Sequence, residues 1–157
     1  MSKPTIYRRW PEGKEELVSS AVAQCKEDAP LIDTGSLRGD LVAALEQMIS
    51  GMRENAHLAA GLTQRLRESP RLRQVFREQI MSAKRAHFEG ILRRAVDRGE
   101  LARLPKDLSL FADLGPSVIH SRALITGEPL DRRFVNRFVD QVLIPALHAA
   151  ESSEGRR

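Results

Sequence analysis

Apolar side chains recur every three or four residues along most of this chain. That spacing places them on one face of an α-helix, and no segment shows the strict alternation of a half-buried strand. The pattern therefore predicts an all-α fold. The clearest runs are Leu37, Leu41, Leu45, Met48 and Met52; Leu72, Phe76, Ile80, Ala83, His87, Ile91 and Ala95; and Leu108, Phe111, Gly115, Val118, Arg122 and Ile125.

Capping and breaking residues divide these runs into separate helices. Gly99 and Gly127 are predicted to end helices, because glycine adopts the left-handed conformation without strain. Pro145 is predicted to kink or end the last helix, since proline lacks a backbone N–H. A side-chain oxygen placed just before a helix accepts a hydrogen bond from a free amide of the first turn. The predicted starts of this kind are Ser69 with Pro70, Asp107, Asp131, and either Ser36 or Thr34.

The last predicted helix, about residues 131–149, carries an apolar stripe that is wider than one core contact requires. Phe134, Phe138 and Val142 follow one line of the stripe, and Val135 and Val139 lie beside them. A stripe of this width indicates packing on two sides, and another subunit is a candidate for one of them.

Composition narrows the class of protein without deciding its function. The chain has 157 residues, of which 41% are hydrophobic and 29% charged, as in a globular domain. The formal net charge of +4 is compatible with an anionic partner but too small to establish one. The single cysteine, Cys25, excludes an internal disulfide and predicts a reducing cytoplasm. No apolar run is long enough to span a membrane, and the N-terminus lacks the apolar part of a signal peptide.

The opening segment, residues 2–14, has the chemistry of a nucleic-acid contact. Lysine and arginine neutralise phosphates, and hydroxyl groups donate hydrogen bonds to phosphate oxygens. Glu12 is the acid that this basic stretch contains. On composition alone, an ordinary basic amphipathic helix with a solvated face is the favoured explanation of the segment. The candidate DNA-binding residues are Ser2, Lys3, Pro4, Thr5, Tyr7, Arg8, Arg9 and Lys14.

The order of the residues adds a family resemblance to this chemistry. Ser2-Lys3-Pro4-Thr5-Ile6-Tyr7-Arg8-Arg9-Trp10, followed by Lys14-Glu15-Glu16-Leu17, closely resembles the recognition helix of tetracycline-repressor-like (TetR) regulators and the start of the next helix. Residues 35–41, 98–101 and 125–135 resemble the C-terminal domains of one subgroup of that family. The resemblance implies an all-α, TetR-like transcriptional regulator. It implies phosphate contacts for Tyr7 and Lys14, and proximity to the bases for Ser2, Lys3, Pro4 and Thr5.

The resemblance also implies a division of the chain. Residues 1–28 correspond to part of a DNA-binding domain, 34–150 to an effector-binding and dimerisation domain, and 151–157 to a disordered tail. A TetR-type DNA-binding domain has three helices, so two helices are expected before Met1. We therefore expect weak or no specific DNA binding by this chain. With a complete N-terminus, operator DNA is the expected partner.

By the same resemblance, the middle helices enclose a pocket for a small-molecule effector that releases the operator when it binds. Such pockets are mostly apolar with a few polar anchors, and methionine adapts to varied ligands. His87 is either a polar group that orients the effector or a core histidine whose hydrogen bonds are all made within the protein. Arg122 either pairs with an acidic group of the effector or lies at the dimer seam. The candidate pocket residues are Met48, Met52, Phe76, Ile80, His87, Phe88, Phe111, Val118 and Arg122.

The resemblance also implies a homodimer, in which the last two long helices, about residues 107–126 and 131–149, form a four-helix interface between two copies of the chain. This expectation agrees with the wide stripe on the last helix. The candidate interface residues are Ile119, Ala123, Phe134, Phe138 and Val142.

Patterns that would predict catalysis or a metal site are weak in this sequence. Glu54 and His57 have the spacing of di-iron ligands, but such a site needs two copies of the motif and further glutamates, and one copy is present. Neither a phosphate-binding glycine loop nor a nucleophile elbow occurs. We therefore expect no cofactor, no metal and no enzyme activity. The alternative to a DNA-binding regulator is a helical dimerisation module without DNA binding, and a small helical enzyme is a weaker third hypothesis.

Overall fold

The computed structural model describes residues 32–54 and 66–152. These residues form helices and no strands, so the predicted all-α class is confirmed for this part of the chain. The helices expected within residues 2–28 lie outside the described residues. The α-helices are α1 (Leu37–Glu54), α2 (Pro70–Phe76), α3 (Ser82–Asp97), α4 (Leu108–His120), α5 (Arg132–Phe138) and α6 (Ile144–Ser152). Wider π-helical segments follow three of them: π1 (Arg77–Met81) follows α2, π2 (Ser121–Thr126) follows α4, and π3 (Val139–Leu143) follows α5.

The chain divides into two compact units. The first unit contains Met1–Pro30 and Gly61–Lys84, and the second contains Leu31–Ala60 and Arg85–Arg157. In the first unit, the Ser69 hydroxyl accepts a hydrogen bond from the Leu72 amide at 3.2 Å, which confirms the predicted helix start. Leu72 is buried there.

The second unit has an apolar core built on α1. This helix packs against α4, α5 and π3, and α3 contributes the turns near its C-terminal end. The predicted apolar runs contain eight of the fifteen core residues of the described chain, such as Leu41, and miss others, such as Ile49 and Leu147. The core residues are Leu37, Leu41, Val42, Leu45, Ile49, Ile91, Leu92, Ala95, Leu101, Ile119, Val135, Phe138, Val139, Leu143 and Leu147.

Local side-chain caps fix where these helices begin. The carboxylates of Asp107 and Asp131 accept hydrogen bonds from amides three residues later, at 3.1 and 2.7 Å. Both predicted starts are confirmed. The choice between Ser36 and Thr34 is also settled, because the Ser36 hydroxyl accepts from the Gly39 amide at 3.1 Å. Ser36 is therefore the cap of α1.

Left-handed glycines end two helices, as predicted. Gly99 follows α3 with φ of 76°, and the Glu100 amide donates to the Ala95 carbonyl at 2.8 Å. This bond uses a carbonyl that the helix itself leaves free. Gly127 follows π2 with φ of 66°.

Pro145 does not end the last helix. It is the second residue of α6, which continues to Ser152. The π3 segment precedes it, and there the Ile144 amide donates to the Val139 carbonyl, five residues back. This wider turn comes just before the position without an N–H, so the helix continues past the proline.

Two further expectations are corrected in the second unit. The helical spacing predicts Ile125 on the apolar line of α4, yet its side chain is 81% exposed, because π2 adds residues to the turn and rotates the positions after it. The tail is predicted to start at residue 151, but α6 includes Glu151, whose carboxylate accepts the Ala102 amide at 2.6 Å. Residues 153–157 lie outside the described residues. No helix in the described ranges is long and apolar enough to cross a membrane.

Candidate effector and dimer sites

The predicted DNA-binding residues, all within residues 2–14, lie outside the described part of the chain. Their role therefore stays a prediction. The candidate sites that the structure describes belong to the second unit.

Five of the predicted pocket residues pack around the same core. They come from α1, α3 and α4, and each is partly exposed rather than sealed inside. Flexible methionine and flat aromatic side chains along the edge of a core form a surface that an apolar ligand can enter. We call this set the apolar cluster: Met48, Met52, Phe88, Phe111 and Val118.

His87 precedes Phe88 of the apolar cluster on α3. Its Nε2 atom is buried and has no hydrogen-bond partner, so the alternative of a fully satisfied core histidine is not supported. Burial lowers the pKa of His87, and the nearby charge of Arg94 lowers it further, while Asp40 opposes both effects. The neutral ring therefore offers an unused polar atom.

An ion pair that sequence reasoning missed links α3 to α4. Arg85 donates to the Asp113 carboxylate at 2.9 Å, with both side chains partly exposed. The Arg85 Nε atom is buried without a partner. Nothing in the local sequence pairs residues 28 positions apart, because their contact depends on how α3 and α4 pack.

Phe76 and Ile80, also predicted to line the pocket, belong to the first unit. Both are partly buried. Their place in a pocket stays a prediction.

A surface groove of about 400 Å³ lies where the chain turns from π2 into α5. Phe134 and Phe138 stack within it, with ring centroids 5.9 Å apart. The groove is basic as well as apolar, because three arginines reach it. Its lining consists of Arg122, Pro129, Asp131, Arg133, Phe134, Arg137, Phe138, Gln141 and Val142.

Arg122 lies in this groove and not in the apolar cluster. Its guanidinium carbon stands 4.2 Å from the centre of the Phe134 ring, an arrangement favoured by the negative face of the aromatic. It donates to the Pro129 carbonyl at 3.0 Å and pairs with Glu128. Of the two alternatives for Arg122, the structure favours the position beside the predicted seam residues.

The predicted dimer residues divide between surface and core. Val142 is 43% exposed and Ala123 and Phe134 are partly exposed, whereas Ile119 has no exposed surface. Ile119 is therefore unavailable to a second copy, since it fills the core between α4 and its neighbours. Phe138 is mostly buried but still lines the groove.

The sequence did not predict that two apolar residues of π2 are exposed. Leu124 is 47% exposed and Ile125 is 81% exposed, both within π2. A regular α-helical line assigns Ile125 to the buried face, so only knowledge of the π-helical segment would have found it.

Within residues 32–54 and 66–152, no group of three or more histidine, cysteine or carboxylate side chains is placed to hold a metal ion. Several of the ion pairs in these ranges connect helices, such as Arg38 with Asp140 and Arg85 with Asp113.

Comparisons with known proteins agree with this picture. Residues 31–142 match the family model described as "Tetracyclin repressor-like, C-terminal domain". A crystal structure of a TetR family transcription regulator matches with a TM-score of 0.69 and 27% identity, covering 91% of this chain and 79% of that one.

Similar sequences are named as regulators rather than enzymes. An uncharacterised HTH-type transcriptional regulator of Mycobacterium tuberculosis is 30% identical over 146 residues, which span 93% of this chain and 72% of the relative. The DNA-binding transcriptional repressor TetR of Mycobacteroides abscessus is 33% identical over 150 residues, which span 91% of this chain and 75% of that protein. With the helical fold and the family match, these relatives show that the chain belongs to the TetR family of transcriptional regulators.

Proposed function

We propose that this chain is a dimeric TetR-like transcriptional repressor that leaves its operator when a small molecule binds the second unit. An effector shifts an equilibrium only by its differential affinity for two states of the protein. The proposal therefore requires a place where a ligand makes contacts that change with conformation. The cytoplasm, where operator DNA resides, is the proposed location.

The observation that carries the proposal is the apolar cluster with His87 beside it. Its members come from α1, α3 and α4 and each packs against the core, and we propose that a bound ligand contacts all three helices. The unpartnered Nε2 of His87 supplies a polar group that a ligand can satisfy. An apolar small molecule carrying a hydrogen-bonding group fits this combination.

Binding of the neutral fluorophore N-phenyl-1-naphthylamine tests the proposed site directly. We expect Val118→Trp to lower its affinity about tenfold or more, because the larger ring fills the space beside the cluster. Leu110→Trp is the matched control, since Leu110 lies on the same helix but is 58% exposed. Met52→Trp provides a second test if the Val118 variant does not fold. Equal affinity in the wild type and all folded variants would contradict the proposed site.

The proposed dimer uses the surface of π2, α5 and π3. Exposed Ile125 and Val142, together with the groove at Phe134, form apolar surface that water disfavours. Arginine and aromatic side chains are also enriched where proteins meet. The groove is therefore a suitable place for helices of a second copy.

The proposed partner DNA is a palindromic operator, because its two half-sites match the two symmetry-related DNA-binding domains of a dimer. A gel shift against the upstream DNA of the protein's own gene tests this step, with a scrambled sequence as control.

A further inference from the structure

Asp40 is a charged side chain with no exposed surface. Isolated charges are costly to bury, so such a residue is normally held by several partners. The Thr34 amide and hydroxyl donate to its Oδ1 at 2.6 and 2.8 Å, and Arg98 donates to its Oδ2 at 3.2 Å. Arg94 adds an ion pair at 3.8 Å.

These contacts exceed what the start of a helix requires. Ser36 already caps α1, so Asp40 is not needed for that purpose. Its partners lie far apart in sequence: Thr34 is six residues away and Arg98 is 58 residues away. Asp40 therefore joins the segment before α1 to the C-terminal end of α3.

Neighbouring groups repeat the same connection. Both carboxylate oxygens of Glu100 accept from the Leu37 amide, at 3.0 and 2.8 Å, and Glu100 also pairs with Arg98 at 2.6 Å. The Arg94 guanidinium donates to the Ile32 carbonyl. Residues 32–37 are thus held by three side chains that follow one another at the end of α3.

Gly39 shows how closely this arrangement is packed. A Cβ atom at position 39 would overlap the Thr34 hydroxyl and stand 2.9 Å from the Ser36 hydroxyl. Glycine usually weakens a helix, because it loses more conformational freedom than alanine. Its presence in α1 therefore leaves room for Thr34 to reach Asp40.

We propose that Thr34, Asp40, Arg94, Arg98 and Glu100 form a clamp that fixes residues 32–36 on the C-terminal end of α3, so that loss of one member loosens the whole segment. The clamp does not depend on the proposed function.

Two glycine substitutions in the same helix separate a clamp from a general effect on helix stability. Gly39→Ala displaces the Thr34 side chain, whereas Gly51→Ala meets no atom within 4 Å. Both gain helix propensity. We expect only Gly39→Ala to increase hydrogen exchange of the amides in residues 33–37, by about tenfold or more.

Substitutions of Thr34 test the same contacts if the Gly39 variant does not fold. We expect Thr34→Val to increase hydrogen exchange of the same amides, because it removes the hydroxyl that donates to Asp40. Thr34→Ser, which keeps the hydroxyl, should leave the exchange rates at the wild-type level.

The proposal is overturned if Thr34→Val and Gly39→Ala leave the exchange rates unchanged, or if Gly51→Ala changes them equally. The exchange measurement does not involve effector or DNA. A failure of the clamp is therefore distinguishable from a failure of the proposed function, which fluorophore binding measures.

Discussion

At the scale of single residues, two side chains of the second unit, Asp40 and His87, have pKa values that their surroundings shift. Burial raises the pKa of Asp40, but hydrogen bonds from Thr34 and Arg98 outweigh it and lower the pKa below 3.8. His87 has its pKa lowered, first by burial. In both cases the folded protein holds the less protonated form more strongly than the unfolded chain does.

Asp40 is expected to contribute stability that disappears in acid. Because its folded pKa is below its unfolded value, the contribution is present above about pH 4 and is lost as the pH falls through the folded pKa. Asp40→Asn should cost about 2–4 kcal/mol near neutral pH, because Arg98 loses its buried partner. Urea unfolding near pH 7 and near pH 3 should show the difference shrinking in acid. A difference that stays constant with pH would contradict the prediction.

His87 is expected to make the free energy of unfolding depend on pH in a higher pH range than Asp40 does. Its folded pKa is lowered, so its contribution is complete above the unfolded value of 6.5 and declines as the pH falls below it. His87→Gln should therefore lose less stability than the wild type between about pH 7.5 and about pH 5. The other three histidines remain in both proteins, so the comparison isolates this one. If the free energy of unfolding changed equally with pH in the two proteins, the prediction for His87 would be wrong.

At the scale of elements, helices begin and end where sequence predicts because caps are local. Asp107, Asp131 and Gly99 act on amides and carbonyls within a few residues. The partners of Asp40 could not be predicted in this way, because Arg98 approaches only after α1 and α3 have packed. The exposure of Ile125 was also missed, since a single α-helical period does not hold across π2.

The helices α4 and α1 approach each other closely at Gly115. It is buried, and a Cβ there would stand 2.9 Å from Leu45 Cδ2, inside the core. Gly115→Ala should destabilise the protein by about 1–2 kcal/mol despite its higher helix propensity, because Leu45 must move. Gly51→Ala, which meets open space, should be neutral or stabilising. Thermal unfolding of the two variants should separate them, and equal stabilisation by both would refute the close approach.

At the scale of the whole molecule, assembly should depend on where apolar surface is exposed. Ile125 and Leu110 are both exposed and both belong to the stretch formed by α4 and π2. Only Ile125 adjoins the surface that we assign to a second copy. The fold and the family could be predicted from sequence, but this surface could not be mapped correctly without π2.

Ile125→Glu should weaken the proposed dimer about tenfold or more, because a carboxylate would lose water in an apolar interface. Leu110→Glu should leave it intact. Light scattering after size exclusion, over a series of concentrations, measures both. A monomeric wild type, or identical behaviour of the two variants, would exclude this surface as the interface.

The π2 segment has a consequence for how such a chain can change over generations. One residue in an α-helix corresponds to a rotation of about 100°. Loss of a single codon within residues 121–124 would allow a regular helix and move Ile125 to the place of residue 124, one position off the apolar line, so that it still faces outward. A small genetic event could thus remove the wider turn while leaving both the outer surface and the core residues of the remaining helices unchanged.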